Sequence, residues 1–229
     1  MKLPPGRPGR DKQAPLLIGA HYDTVVASPG ADDNASALAV LLEAAERLRL
    51  AVVARPVWLV AFCLEEHGLL GSRAFISGLK QTGQPLGGAI ILECVGYASQ
   101  EPGSQRMPPG VPIAVPTVGN FLGIVGNEAS RDLIGAVERN ARRVAPNTPT
   151  VALAVPARGE GLPDVRRSDH AAFWDEGYAA VMLTDTANFR NPHYHQPSDT
   201  LDTLNLDFLD GVSDIVVGCI EDLAGVSRR

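Results

Sequence analysis

Apolar runs and helix-spaced apolar residues alternate along this chain. Leu16-Leu17-Ile18-Gly19-Ala20 is a short continuous apolar run, the mark of a strand buried on both faces, and it ends at His21. A loop containing Pro29 and Gly30 follows. Leu38, Leu41, Leu42 and Ala45 then recur at helical spacing and predict a helix from about Asn34 to Leu50. Val57-Trp58-Leu59-Val60-Ala61-Phe62-Cys63 is apolar on both parities, which predicts a central strand. A helix near Leu70–Leu79 leads to a further strand, Ala89–Leu92. The stretch Ser99–Thr117 is rich in Pro and Gly and reads as a long surface excursion. Beyond it the pattern predicts a strand near Phe121–Val125, a helix at about Glu128–Val144 and a strand at Thr150–Val155. A loop at Pro156–Arg167, a strand at Ala180–Thr184 and a closing helix over about Leu206–Leu223 complete the order. Alternation of this kind predicts an α/β three-layer sandwich around a central, mostly parallel sheet. No repeat or linker interrupts it, so residues 1–229 are expected to form a single domain.

Composition narrows the class. The 229 residues are 45% apolar, enough for one well-covered core, and carry a net charge of −6 without a basic run. That balance argues against nucleic acid or an anionic membrane surface as partner. No apolar run approaches the ~20 residues of a membrane span. The N-terminal stretch MKLPPGRPGRDKQAP lacks the apolar core of a leader. Location stays open: cytoplasmic for a complete chain, extracytoplasmic if a segment has been removed. Cys63 and Cys94 lie in strand-like runs, which predicts buried free thiols there, with Cys219 a spectator.

The candidate chemistry sits where apolar runs stop. His21-Tyr22-Asp23, Glu65-Glu66, Glu93 and His193-Tyr194-His195 each end or follow such a run, and Asp32-Asp33-Asn34 opens a helix. Taken singly, each has an ordinary explanation: a polar turn, a helix cap for the aspartates, a solvated pair for the glutamates, a loop histidine. Glu93 fits such explanations least, because it lies between Leu92 and Cys94 in a run that otherwise reads as core. A buried carboxylate needs a partner, and a metal serves. Strand carboxyl ends converge on one crevice in open α/β sheets, so imidazoles and carboxylates far apart in sequence can meet there, as a zinc site requires.

The segments HYDTVVASPGADDNASA, CLEEHGLLGS, ILECVGY, RRSDHAAF and NPHYHQPSDT resemble, as an ordered set, the motifs of the zinc metallopeptidases that include bacterial leucyl aminopeptidases and glutamate carboxypeptidase. The resemblance runs from about Leu16 to the C-terminus. It implies a zinc-dependent exopeptidase fold and two Zn²⁺ per chain, bridged by Asp33 and a water, acting on peptide substrates. One zinc would be held by His21 and Glu93, the other by His195 and Glu66. Glu65 matches the general base, and Tyr194 a residue that hydrogen-bonds the oxyanion in some members. Asp169 and His170 match a motif near the pocket and are given no catalytic role. Chemistry agrees: adjacent glutamates diverge, so one can ligate while the other moves the proton of the water. Asp23 and Asp199, two and four residues after the histidines, are candidates for holding those imidazoles' second N–H.

The resemblance has two departures. Many aminopeptidases of the family have Asp where this chain has Glu93, and related carboxypeptidases have Glu, so the attacked terminus is open. Arg158, Arg166, Arg167 and Arg190 would permit a carboxylate pocket, whereas Glu65 and Glu93 would hold an ammonium. Family members also carry elements before the His-x-Asp strand that are short here, which exposes a sheet edge and favours a homo-oligomer. The leading expectation is an aminopeptidase. A carboxypeptidase, a single-zinc acyltransferase resembling glutaminyl cyclase and a non-catalytic binding domain are the alternatives.

Overall fold

The computed structural model describes residues 2–3 and 13–226. The N-terminal stretch read above as free of a leader falls largely on residues 4–12, outside the described residues. Among the described residues seven strands form one sheet: β1 (Lys2–Leu3), β2 (Leu16–His21), β3 (Val57–Phe62), β4 (Gly88–Glu93), β5 (Leu122–Asn127), β6 (Thr150–Val155) and β7 (Ala180–Thr184), in the order β1-β3-β2-β4-β7-β5-β6. The pairs β2–β3, β2–β4, β4–β7 and β5–β6 are parallel; β1–β3 and β5–β7 are antiparallel. Among the described residues five helices flank it: α1 (Ala37–Arg47), α2 (Leu70–Thr82), α3 (Arg131–Val144), α4 (His170–Asp175) and α5 (Leu206–Ala224).

Two apolar clusters on opposite faces of the sheet make the three layers. On one face Val40, Val137, Ile215 and Val216 from α1, α3 and α5 pack on Ile18, Ile90 and Leu183. On the other, Ile76 of α2 and Phe173 and Trp174 of α4 pack on Leu17, Phe62 and Ile91. Both faces of β2 and β4 are therefore covered, and all their residues are buried, as continuous apolar strands require. The Trp174 indole N–H, fully inside, donates to the Ala180 carbonyl at 2.9 Å.

Three sequence expectations change. The Val57 strand is not central: among the described residues β3 has only two-residue β1 beyond it, and Trp58 and Val60 are half-exposed and Ala61 exposed. Its apolar outer face is instead partly covered by Phe75 of α2, set edge-on to Trp58 and Phe62. The thiols also rearrange. All three are free, but Cys94 and Cys219 are the buried ones, while Cys63 lies half-exposed just past β3. Finally, the helix expected from Asn34 begins at Ala37, because Asp33 and Asn34 take non-helical backbone angles in an irregular turn over Ala31–Ser36. That irregularity matters below, since it turns Asp33 out of helical register.

Candidate metal centre

Four adjacent strands, β3, β2, β4 and β7, run parallel and release their carboxyl ends along one edge of the sheet. His21 is the last residue of β2 and Glu93 the last of β4; Glu65 and Glu66 follow β3 by three and four residues. Asp33 comes from the turn before α1, and His195 from the loop between β7 and α5, where it sits at φ 60°. The parallel register thus gathers residues up to 174 positions apart, by the difference of their numbers.

The side chains meet in two overlapping groups. His21, Asp33 and Glu93 form one, and Asp33, Glu66 and His195 the other, each with its facing nitrogen and oxygens within 4.8 Å of one another. In the first, His21 Nε2 lies 3.2 Å from Asp33 Oδ1 and 3.4 Å from Glu93 Oε2. In the second, His195 Nε2 lies 3.0 Å from Asp33 Oδ2 and 3.3 Å from Glu66 Oε1. Asp33 therefore gives one oxygen to each group. Despite these distances, His21 Nε2, both Asp33 oxygens, Glu66 Oε1 and His195 Nε2 are buried without a hydrogen-bond partner. Such atoms are costly unless something fills the space between them.

Charge tells the same story. Burial works against a protonated His21, yet the carboxylates of Glu93 and Asp33 outweigh it and push the imidazole up to about 12. Burial would raise Asp33, but the imidazoles of His195 and His21 that face it hold it below the usual range. Burial, reinforced by Asp33, pushes Glu66 up to about 7. Glu65 belongs to neither group. Burial and then the charge of Glu93 push it up to about 10, against the opposing pull of His21. Excess buried negative charge is thus balanced by protons on ligand-type atoms, and cations between the groups would replace them. The donor set of imidazoles and carboxylates suits zinc, so the residues fit the implied metal.

The surrounding contacts were only partly legible in the sequence. The expectation that Asp23 and Asp199 grip the imidazoles is corrected. His21 Nδ1 meets the Asp23 main-chain carbonyl at 2.9 Å, and the carboxylate stands off at 3.8 Å. Asp23 accepts instead from the amides of Glu65 and Glu66, at 3.1 and 3.2 Å. Asp199 accepts from the amides of Asp32 and Asp33, at 2.9 and 3.2 Å. Sequence reading missed Ser168, whose hydroxyl donates to Glu93 Oε2 at 2.6 Å; the SDH motif was its signal. It also missed Asn34, whose side chain donates to the Leu92 carbonyl and accepts from the Cys94 amide, both at 3.0 Å. Those two bonds bracket Glu93. Asp32 is not a helix cap: its carboxyl accepts from Gly96 N–H at 2.8 Å and from the Asn191 side chain at 2.7 Å. His170 is a core histidine, bonded through Nε2 to the Val165 carbonyl at 2.7 Å and lowered to about 4 by burial. Asp169 is buried nearby and pushed up to about 7 by burial.

Tyr194 stacks on His195 with ring centroids 3.8 Å apart, and its hydroxyl accepts from Arg167 at 3.1 Å. Beyond Glu93 and Tyr194 opens a pocket with about 110 Å³ of free volume and mostly apolar walls, among them Ile113, Phe121, Val151, Leu153 and Met182. Part of this wall is the Ser99–Thr117 stretch expected as a surface excursion. It is irregular, as expected, but Val111 and Ile113 fold back onto the second core cluster. Its alternating Val111, Ile113 and Val115 were the available signal.

The comparisons with known proteins follow the same lines. The sequence signature described as Peptidase family M28 matches residues 1–220. The protein YfbL of Escherichia coli (strain K12) is 35% identical over 222 residues, spanning 88% of this chain and 65% of that one. A probable leucine aminopeptidase 1 of Trichophyton verrucosum is 26% identical, over 95% of this chain and 56% of that one. The crystal structure of the Legionella pneumophila LapA aminopeptidase shares the fold, with a TM-score of 0.73 at 23% identity, over 93% of this chain and 52% of that chain. This chain therefore spans between about half and two thirds of the length of these three relatives. With a signature match over nearly its whole length, the chain belongs to peptidase family M28.

Proposed function

We propose that this protein is a zinc-dependent exopeptidase, acting as an aminopeptidase that releases an unblocked, apolar N-terminal residue from peptides. A single catalytic domain over residues 1–229 is part of the proposal. The observation that carries it is the pair of groups sharing Asp33, whose facing buried atoms, apart from the Glu93 Oε2 held by Ser168, have no hydrogen-bond partner. His21, Asp33 and Glu93 would hold one zinc, and Asp33, Glu66 and His195 the other. When bound, zinc acidifies a water toward a pKa of about 7 and polarises a carbonyl.

The chain's own residues do the rest. Glu65, outside both ligand groups, takes the proton of the attacking water and delivers it to the leaving amine. Two cations beside it would reverse the upward pull of Glu93 and leave it ionised, as a base must be. The Tyr194 hydroxyl accepts from Arg167, which leaves its own proton free for the oxyanion. Glu93 and Glu65 offer negative charge to a substrate ammonium, and the apolar pocket beyond Glu93 takes the side chain.

The arginines favour the aminopeptidase over the carboxypeptidase. Arg158 is paired with Glu160, and Arg166 with Asp175. Arg190 is buried over the Phe121 ring and bonded to Gln105 at 2.9 Å. Only Arg167 of the four lines the pocket, and it is engaged by Tyr194 and Asn188. A matched pair of peptides tests the reading. Acetylating the N-terminus should abolish cleavage, and amidating the C-terminus should leave it nearly unchanged. The opposite result would make the enzyme a carboxypeptidase.

Self-association through a sheet edge belongs to the same proposal. Among the described residues the sheet ends on β1 at the N-terminal side, where the sequence reading places the exposed edge, and on β6, whose sequence Thr-Val-Ala-Leu-Ala-Val contains no charge or Pro to blunt pairing. No helix among the described residues is long and apolar enough to cross a membrane. Sedimentation velocity at micromolar concentration should detect a dimer, and a monomer alone would count against it.

A further inference from the structure

Each histidine of the two groups is followed by an aspartate, and each aspartate grips two consecutive main-chain amides far away in sequence. Asp23 Oδ1 and Oδ2 accept from the amides of Glu65 and Glu66. Asp199 Oδ1 and Oδ2 accept from those of Asp32 and Asp33. Successive amides converging on a carboxylate make a rigid, charge-assisted junction. The pairing is crossed: Asp23 follows a histidine of the first group and holds the segment bearing Glu66 of the second. Asp199 follows the histidine of the second group and holds the residue common to both. No hydrogen bond joins either carboxylate to an imidazole, and His21 Nδ1 is already committed to the Asp23 carbonyl. Asp199 is fully buried, whereas the Asp23 side chain retains 17% exposure.

We propose that Asp23 and Asp199 are positioning residues that lock the two ligand groups to each other through main-chain amides, and not by orienting the histidines. The inference rests on the metal-binding reading above. Under it, Asp23 sets where Glu66 stands relative to Asp33 and His195, and where Glu65 stands beside them. Losing the junction should therefore loosen zinc at the group Asp23 does not adjoin in sequence.

A double-mutant cycle read by zinc affinity separates the two mechanisms. Zinc dissociation constants are measured by chelator competition on purified full-length protein, with circular dichroism to confirm folding. Asp23→Asn replaces one accepting oxygen by an NH₂ that faces an amide N–H. It should weaken zinc by about 10–100-fold, the usual effect of removing an outer partner of a metal site. In a His21→Ala background, where only the Asp33, Glu66 and His195 group is complete, Asp23→Asn should weaken the remaining zinc by a similar factor. Amide hydrogen exchange at Glu65 and Glu66 should accelerate in both backgrounds. Asp199→Asn in a His195→Ala background is the mirror experiment, read on the His21, Asp33 and Glu93 group. Because Asp199 is fully buried and its variant can fail to fold, the Asp23 arm decides. If Asp23→Asn has no further effect once His21 is gone, or if the His21→Ala chain binds no zinc, the inference is overturned. If the unaltered protein itself binds no zinc, the metal-binding reading falls first and this inference with it.

Discussion

Replacing Glu65 by Gln should leave the zinc content unchanged and lower kcat by about 10²–10⁴-fold, the contribution general-base catalysis normally makes. The argument is positional. Glu65 and Glu66 are consecutive, so their side chains diverge, and only Glu66 has an oxygen in a ligand group. Glu65 lies among the same charges without joining either group, and is pushed up to about 10 by burial and then by Glu93. Gln keeps the volume and removes the ability to take a proton, so packing is preserved while proton transfer is lost. Glu66→Gln makes the contrast. Its Oε1 lies 3.3 Å from His195 Nε2 without a hydrogen-bond partner, so its loss should be read first as weaker zinc and only then as lower turnover. Elemental analysis beside steady-state kinetics on both variants checks the assignment. If Glu65→Gln shed metal while Glu66→Gln kept it, the two roles would have to be exchanged.

The second large effect should come from Asp33. Its oxygens face different histidines, at 3.2 Å for His21 and 3.0 Å for His195. Saturated protein should hold two zinc ions per chain, His21→Ala should hold one, and Asp33→Ala should lose affinity at both positions. The loss should exceed the roughly 10–100-fold typical of an outer-sphere change, because a direct ligand is removed from each group. Removing Asp33 also leaves less negative charge between the imidazoles, so cations there become harder to hold. Isothermal titration with zinc, against a dialysed standard, reads both stoichiometry and affinity. A plateau at one zinc in the unaltered protein would favour the single-metal, cyclase-like alternative. An Asp33→Ala protein that still bound two would show that Asp33 is not shared.

Much of this molecule was legible before folding. Strands β2 and β7 lie within a residue of where their apolar runs predict, because a strand buried on both faces tolerates no polar interruption until it ends. The same rule exposed Glu93: an acidic residue terminating the run Ala89–Leu92 has to be compensated, and it is the last residue of β4. The candidate residue types and their order were therefore readable, since strand ends in a parallel sheet share one edge.

What local pattern could not carry was which strand lies next to which. Val57–Phe62 is as apolar as a central strand yet lies second from an edge, since its outer face is closed by Phe75 of α2. Asp23 and Asp199 look like ordinary turn aspartates because their partners lie 42 and 167 positions away. Val111 and Ile113 look like loop residues until that loop folds over β5, β6 and β7 to wall the pocket. The sequence by itself determined the order of strands and helices along the chain and the identity of the candidate ligands, because burial constrains each residue where it stands. The resemblance already implied how those candidates divide into two groups; only the tertiary structure decided what holds the groups together. Hydrogen bonds and pocket walls between distant segments depend on strand order and helix placement, and those are set by the packing of the whole chain.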